Sequence, residues 1–136
     1  MTLIPRQTRQ RTAIEGVLAA SERPLTPLEI LAVAQRSLPT MGIATVYRAL
    51  RDGQQAGTVQ AVEVAGGTTH YERADHGHHH HFHCIACGKV YEVHGCPGDL
   101  AALAPNGFHV EDHEITLHGR CADCLEPSRV ALTPRS

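Results

Sequence analysis

The chain has no tryptophan and only two phenylalanines in 136 residues, so it lacks the aromatic mass from which a large core is usually built. At this size an external staple would supply what burial does not. No apolar run exceeds about five residues, far below the roughly 20 that span a bilayer, and the first residues contain no apolar stretch of signal length. These absences point to a soluble cytoplasmic protein with no membrane partner. With no export signal, the five cysteines do not read as a disulfide framework, because the cytosol keeps thiols reduced. The 42% hydrophobic and 19% charged content excludes a disordered or fibrous chain.

The first 57 residues also lack cysteine and histidine entirely. They hold seven arginines against four acids, a balance of +3, whereas residues 58–136 carry −5 together with all eleven histidines and all five cysteines. The net charge of −2 therefore hides two unlike halves. One is fit to meet a polyanion and the other to bind cations.

Ile14, Val17 and Leu18 follow a helical period and predict a helix over residues 9–20. Thr26-Pro27-Leu28-Glu29 reads as a capping box with proline at the first helical position, opening a second helix that Pro39 closes. A third helix starts near Ile43, with Ile43, Val46 and Leu50 inward, Thr45 and Arg48 outward, and Tyr47 and Arg51 on the flank. Val62 and Val64, the turn Gly66-Gly67, and residues 68–71 predict two strands and a tight turn. Three short helices and a hairpin make a winged helix-turn-helix. The hydroxyl and guanidinium groups of Thr45, Tyr47 and Arg48 are those that bond phosphates and base edges, and they lie in the positively charged half.

In the second half, Cys84-x2-Cys87 and Cys121-x2-Cys124 stand 33 residues apart. Two such pairs match the closed tetrahedral coordination of structural zinc. Cys96 is left over; its default reading is an ordinary partly buried thiol, with spare metal ligand or redox-active residue as alternatives. If residues 78–83 approach or enter a strand, His78 and His80 face one side and His79, His81 and His83 the other, so one segment can feed two metal sites. Glu72, Asp99 and His113 are available partners, and imidazole suits zinc, iron, nickel or copper. Residues 90–93 alternate as a strand, residues 97–104 read as a short helix, and Phe108, Val110, Ile115 and Leu117 suggest two strand segments separated by a bulge.

In this order, Ala44-Thr45-Val46-Tyr47-Arg48-Ala49-Leu50, the histidine-rich run into Cys84-x2-Cys87-Gly88-Lys89-Val90, and Cys121-x2-Cys124 resemble the ferric uptake regulator superfamily of bacterial metalloregulators. The resemblance covers residues 6–125. It implies an α+β homodimeric repressor of metal uptake genes that binds double-stranded operator DNA and has no small-molecule substrate. The implied divisions are a winged-helix domain over residues 1–72, a hinge over 73–80 and an α/β dimerisation domain over 81–136 that holds the cysteine zinc. It further implies DNA contacts by Tyr47 and Arg48, a hinge sensor site at Glu72, His79 and His81, and a second site at His78, His80, Asp99 and His113. The fourth hinge ligand stays open among His70, Asp75, His76 and Glu63. Iron and peroxide sensors take a ligand just before the second helix, where this chain has Pro24; that departure favours a zinc uptake regulator, with ferrous iron as the alternative regulatory metal. Asp52-Gly53 replaces apolar residues of the relatives, and a glycine there, which costs roughly 1 kcal/mol against alanine, predicts an early end to the recognition helix.

Two rivals belong to other classes. A zinc deaminase would use His109-Val110-Glu111 with Cys121-x2-Cys124, but Arg120 occupies the expected proline position, Cys84 and Cys87 are left unexplained, and four thiolates leave no open position for water. A zinc-binding interaction module without DNA binding would not need the arginine-rich first half.

Overall fold

A computed structural model describes residues 5–64, 66–75 and 77–125, and the chain divides into two compact units, Met1–Gly77 and His78–Ser136. The first contains α1 (Arg6–Ala20), α2 (Pro27–Ala34), α3 (Ile43–Ala56), β1 (Val59–Val62) and β2 (His70–Arg73). The helix expected from residue 9 begins at Arg6, directly after Pro5. The predicted capping box is present: Thr26 Oγ1 accepts from the Glu29 N–H at 3.2 Å and the Glu29 carboxylate from the Thr26 N–H at 3.0 Å. Two donors at the helix start are thereby satisfied.

Val46 and Leu50 are buried on one side of α3, as their i, i+4 spacing requires. They join Ile14, Leu18, Leu25, Ile30, Ala34, Met41 and Val59 in the core of this unit. The helix does not end early at Gly53. It runs to Ala56 and stops at Gly57, whose φ of 79° is the left-handed conformation that favours glycine at a helix end. Gly53 is instead needed for packing, since a Cβ there would come within 2.6 Å of the Val59 methyl carbon Cγ2.

The hairpin also shifts from its expected place. Pairing starts at Val59↔Arg73 and ends at Val62↔His70, leaving Val64 and Thr68 in a longer connection, within which the Gly67 N–H donates to the Val64 carbonyl at 3.0 Å. Burial of Val59 and Val62 sets one strand. Leu25 sets the other by bonding Tyr71 through both backbone groups, at 2.9 and 2.7 Å.

The second unit holds a three-stranded sheet of β3 (His80–Cys84), β4 (Val90–Val93) and β5 (Thr116–Gly119) in the order β4-β3-β5. β3 pairs antiparallel with β4 and parallel with β5. The parallel pair needs a long crossover, which residues 94–115 provide. Most of that crossover is irregular: the helix expected over residues 97–104 is a single 3-10 turn, Ala101–Leu103, and Phe108 and Val110 are in no strand. Leu103 is 79% and Phe108 71% exposed, so their apolar spacing has no surface within the unit to act upon. The buried cluster here is Cys84, Cys121 and Cys124, flanked by Phe82 and Tyr91. β2 ends at Arg73 and β3 begins at His80.

Candidate metal centres

The turn after β3 carries Cys84 and Cys87, and the chain leaving β5 carries Cys121 and Cys124. Their sulfurs converge, with Cys84 Sγ 3.7 Å from Cys124 Sγ and Cys87 Sγ 3.8 Å from Cys121 Sγ. Four thiolates at about 2.3 Å from a tetrahedral zinc stand about 3.8 Å apart, so the donor set fits that ion. Burial would raise the Cys84 thiol, but the N–H groups of Cys87 and Cys121, each 3.4 Å from its sulfur, bring it down to about 6. Cys121 is lowered chiefly by a hydrogen bond from Tyr91, whereas Cys124, bonded to the Cys121 sulfur and buried, is pushed up to about 12. The thiols thus divide their protons unequally, and a divalent cation removes that conflict by favouring the thiolate at every position.

A second cluster gathers where β3 begins. His78, His80, Cys96 and His113 each offer a ligand atom within 4.8 Å of the others. Burial and the neighbouring His78 and His113 lower the His80 pKa, which favours the neutral imidazole that binds metals. Asp99, expected here, lies outside the set; its Oδ1 accepts from the Ala101 N–H at 2.9 Å and fixes the start of the 3-10 turn. Cys96, expected as a partly buried thiol, is exposed and joins the histidines.

His79 and His81 lie on the other side, with ring centroids 4.8 Å apart. Glu92, opposite His81 in the β3·β4 register, places Oε1 3.7 Å from His79 Nε2. Sequence reasoning missed this carboxylate, although its alternation along β4 was visible. His83 does not join His79 and His81, but meets His118 at 3.2 Å between ring nitrogens. In the first unit Glu72 is buried on β2 and accepts from Gln60. Of the residues left open as hinge ligands, His70 is buried with Nδ1 2.6 Å from the Thr68 carbonyl, Asp75 pairs with Arg73, Glu63 is exposed, and His76 lies outside the described residues. His109 and Glu111, the deaminase candidates, are exposed beside one another and belong to none of these clusters.

The outer side of α3 carries Tyr47, 54% exposed, and an exposed Arg48 that donates to Thr45 Oγ1 at 3.1 Å. A groove beside it is lined by residues that include Arg6, Gln10, Arg11, Thr45, Arg48 and the acidic Asp52, whose carboxylate accepts from Arg11 at 3.1 Å. Such a surface concentrates donors for phosphate oxygens.

These features define an α+β protein furnished with candidate metal sites and an arginine-lined helical surface. Residues 5–118 match the ferric uptake regulator family, and the chain belongs to that family. It is similar to the transcriptional regulator FurA of Mycobacterium bovis, 32% identical over 123 residues that cover 88% of this chain and 82% of that protein. It is also similar to the peroxide-responsive repressor PerR of Staphylococcus saprophyticus, 31% identical over 124 residues, 89% and 83% of the two chains. The match to the ferric uptake regulation protein of Neisseria meningitidis, 36% identical over 89 residues, covers 62% of this chain and 60% of that protein. Among solved structures, the Helicobacter pylori ferric uptake regulator, described as having three functional metal binding sites, superposes with a TM-score of 0.74 at 25% identity over 87% of this chain and 81% of its own. No described helix is long and apolar enough to cross a membrane.

Proposed function

We propose that this chain is a metal-responsive, homodimeric transcriptional repressor of metal uptake genes, with zinc as both structural and regulatory metal. The reading is carried by one contrast: the first unit exposes Tyr47 and Arg48 on an arginine-lined helix, while the clustered metal donors of the second unit comprise thiols and imidazoles. The first unit is a winged helix whose α3 enters the major groove, with Arg48 on a base or phosphate and Tyr47 against a sugar or thymine methyl. The second unit dimerises. The exposed Leu103, Phe108 and Leu117 and the edge position of β5 support that role.

Cys84, Cys87, Cys121 and Cys124 hold the structural zinc. The sensor takes Glu72, His79 and His81, with Glu92 as a further donor near His79, and His78, His80 and His113 form a second site. Two recognition helices must be held at a fixed spacing to enter successive grooves. A sensor metal that binds the DNA-competent arrangement about 5.5 kcal/mol more tightly than others moves it from 1:99 to 99:1. Pro24, buried between α1 and α2, offers no ligand where iron sensors have one, which supports zinc over ferrous iron.

The test titrates operator binding with zinc and ferrous iron, each buffered at its cellular free concentration. Zinc should activate, and His81→Ala should abolish that response while the cysteine zinc and the dimer persist. Arg48→Ala should weaken binding by about 1–3 kcal/mol at fixed salt. Activation by iron alone would make this an iron regulator, and unchanged binding by Arg48→Ala would remove α3 from the interface.

A further inference from the structure

The second histidine cluster contains a sulfur, and its distances name the kind of ion it suits. A tetrahedral cation with nitrogen ligands at about 2.0–2.1 Å and a thiolate at about 2.3 Å requires nitrogen–nitrogen separations near 3.3 Å and nitrogen–sulfur separations near 3.6 Å. Here His78 Nε2 lies 3.3 Å from His113 Nε2. Cys96 Sγ lies 3.4 Å from His80 Nε2, 3.5 Å from His78 Nε2 and 3.3 Å from His113 Nε2. We infer that Cys96 completes this site as a thiolate, making a closed, tetrahedral, three-imidazole and one-thiolate centre for a thiophilic divalent cation of the zinc type. The inference rests on the reading of His78, His80 and His113 as a metal site and adds its fourth ligand and its selectivity.

The contact at Cys96 suits a bound thiolate, a carboxylate lies near the outer nitrogen of His78, and the contact at His80 has to rearrange when a cation enters. The Gly98 N–H points at Cys96 Sγ from 3.5 Å, the outer contact that a bound thiolate needs. Asp112 Oδ1 stands 4.0 Å from His78 Nδ1, the nitrogen not turned to the cluster. The Ile115 N–H meets His80 Nδ1 at 3.2 Å. In that arrangement the neutral His80 ring carries its proton on Nε2, so an entering cation transfers it to Nδ1 and the Ile115 N–H must find another acceptor.

Position supplies a purpose. Cys96 and His113 sit near the two ends of the irregular crossover between β4 and β5, whereas His80 is the first residue of β3. One ion would therefore pin both ends of that crossover to the sheet, where few backbone bonds do so. A sulfur donor favours zinc over manganese or magnesium, which prefer octahedral oxygen ligands.

The experiment uses full-length protein in which the four-cysteine site retains zinc, confirmed by elemental analysis, with cobalt(II) as the probe. Wild type should show tetrahedral cobalt bands and a near-ultraviolet thiolate-to-cobalt charge-transfer band. Cys96→Ser should lose the charge-transfer band and bind zinc at this site about 10- to 100-fold more weakly or worse, while Asp99→Asn should leave both unchanged. The Ile115 amide resonance should move on loading. Loss of cobalt in His113→Ala with an unaltered spectrum in Cys96→Ser would overturn the thiolate assignment alone. Cobalt binding undisturbed in His113→Ala would overturn the metal site itself.

Discussion

The two units reach a folded state by different means. In Met1–Gly77 the core is mainly hydrocarbon, with Ile14, Ile30, Val46 and Leu50 each at most 2% exposed; His70 and Glu72 are buried as well, and the capping box of α2 and strand pairing engage polar groups of the backbone. In His78–Ser136 the buried cluster is three cysteines with Phe82 and Tyr91 beside them, and the crossover from β4 to β5 lies largely open. A unit with little to bury can still have a unique structure when a few strong, directional bonds replace many weak ones.

The sharpest way to break this comparison is Cys121→Ser, or stripping zinc with a strong chelator. Structural zinc contributes roughly 10–16 kcal/mol of apparent binding energy, so the second unit should unfold while α1 to α3 persist. Amide resonances of residues 80–125 should collapse towards random-coil positions as those of the helices stay dispersed. Loss of both sets together would mean that the first unit has no independent stability.

The converse variant is Leu50→Ala. Emptying that fully buried site should destabilise the first unit by about 2–5 kcal/mol and leave the zinc content of the four-cysteine centre unchanged. Chemical denaturation followed by helical circular dichroism, with elemental analysis alongside, checks both halves of the statement.

Gly53→Ala sets two effects against each other. Alanine favours the helix by about 1 kcal/mol, but its methyl meets Val59 Cγ2 at 2.6 Å, an overlap of a kind that costs about 1–3 kcal/mol. Net loss of up to about 2 kcal/mol is expected, and a gain in midpoint would show that the β1 contact yields easily.

The smallest effect belongs to Thr26→Ala, which should cost about 1 kcal/mol through loss of the cap. Its partner Glu29 adds a pH signature. Burial alone would raise that carboxyl, but Arg23 and the Thr26 N–H hold it below its usual range. Its folded form is therefore the better acid, its contribution is complete above the unfolded value, and it fades as pH falls through the lowered one. Acid titration of stability in wild type and Glu29→Gln should diverge above that window and converge below it.

What the sequence by itself determined is the local chemistry: the Thr26 to Glu29 cap, the inward face of Val46 and Leu50, the paired cysteine spacing, and the alternation that separates His78 and His80 from His79 and His81. Each is a pattern within one turn, one helix face or one strand, where geometry follows from residue spacing alone. Tertiary structure decided what meets across the chain. It set Cys96 rather than Asp99 beside the histidines, brought Glu92 to His79, required glycine at position 53 where α3 touches β1, and left Phe108 and Val110 outside any strand. Cys96 and Asp99 sit in an irregular stretch with no period to orient either side chain. Their roles depend on where residues far along the chain come to rest, and only packing specifies that.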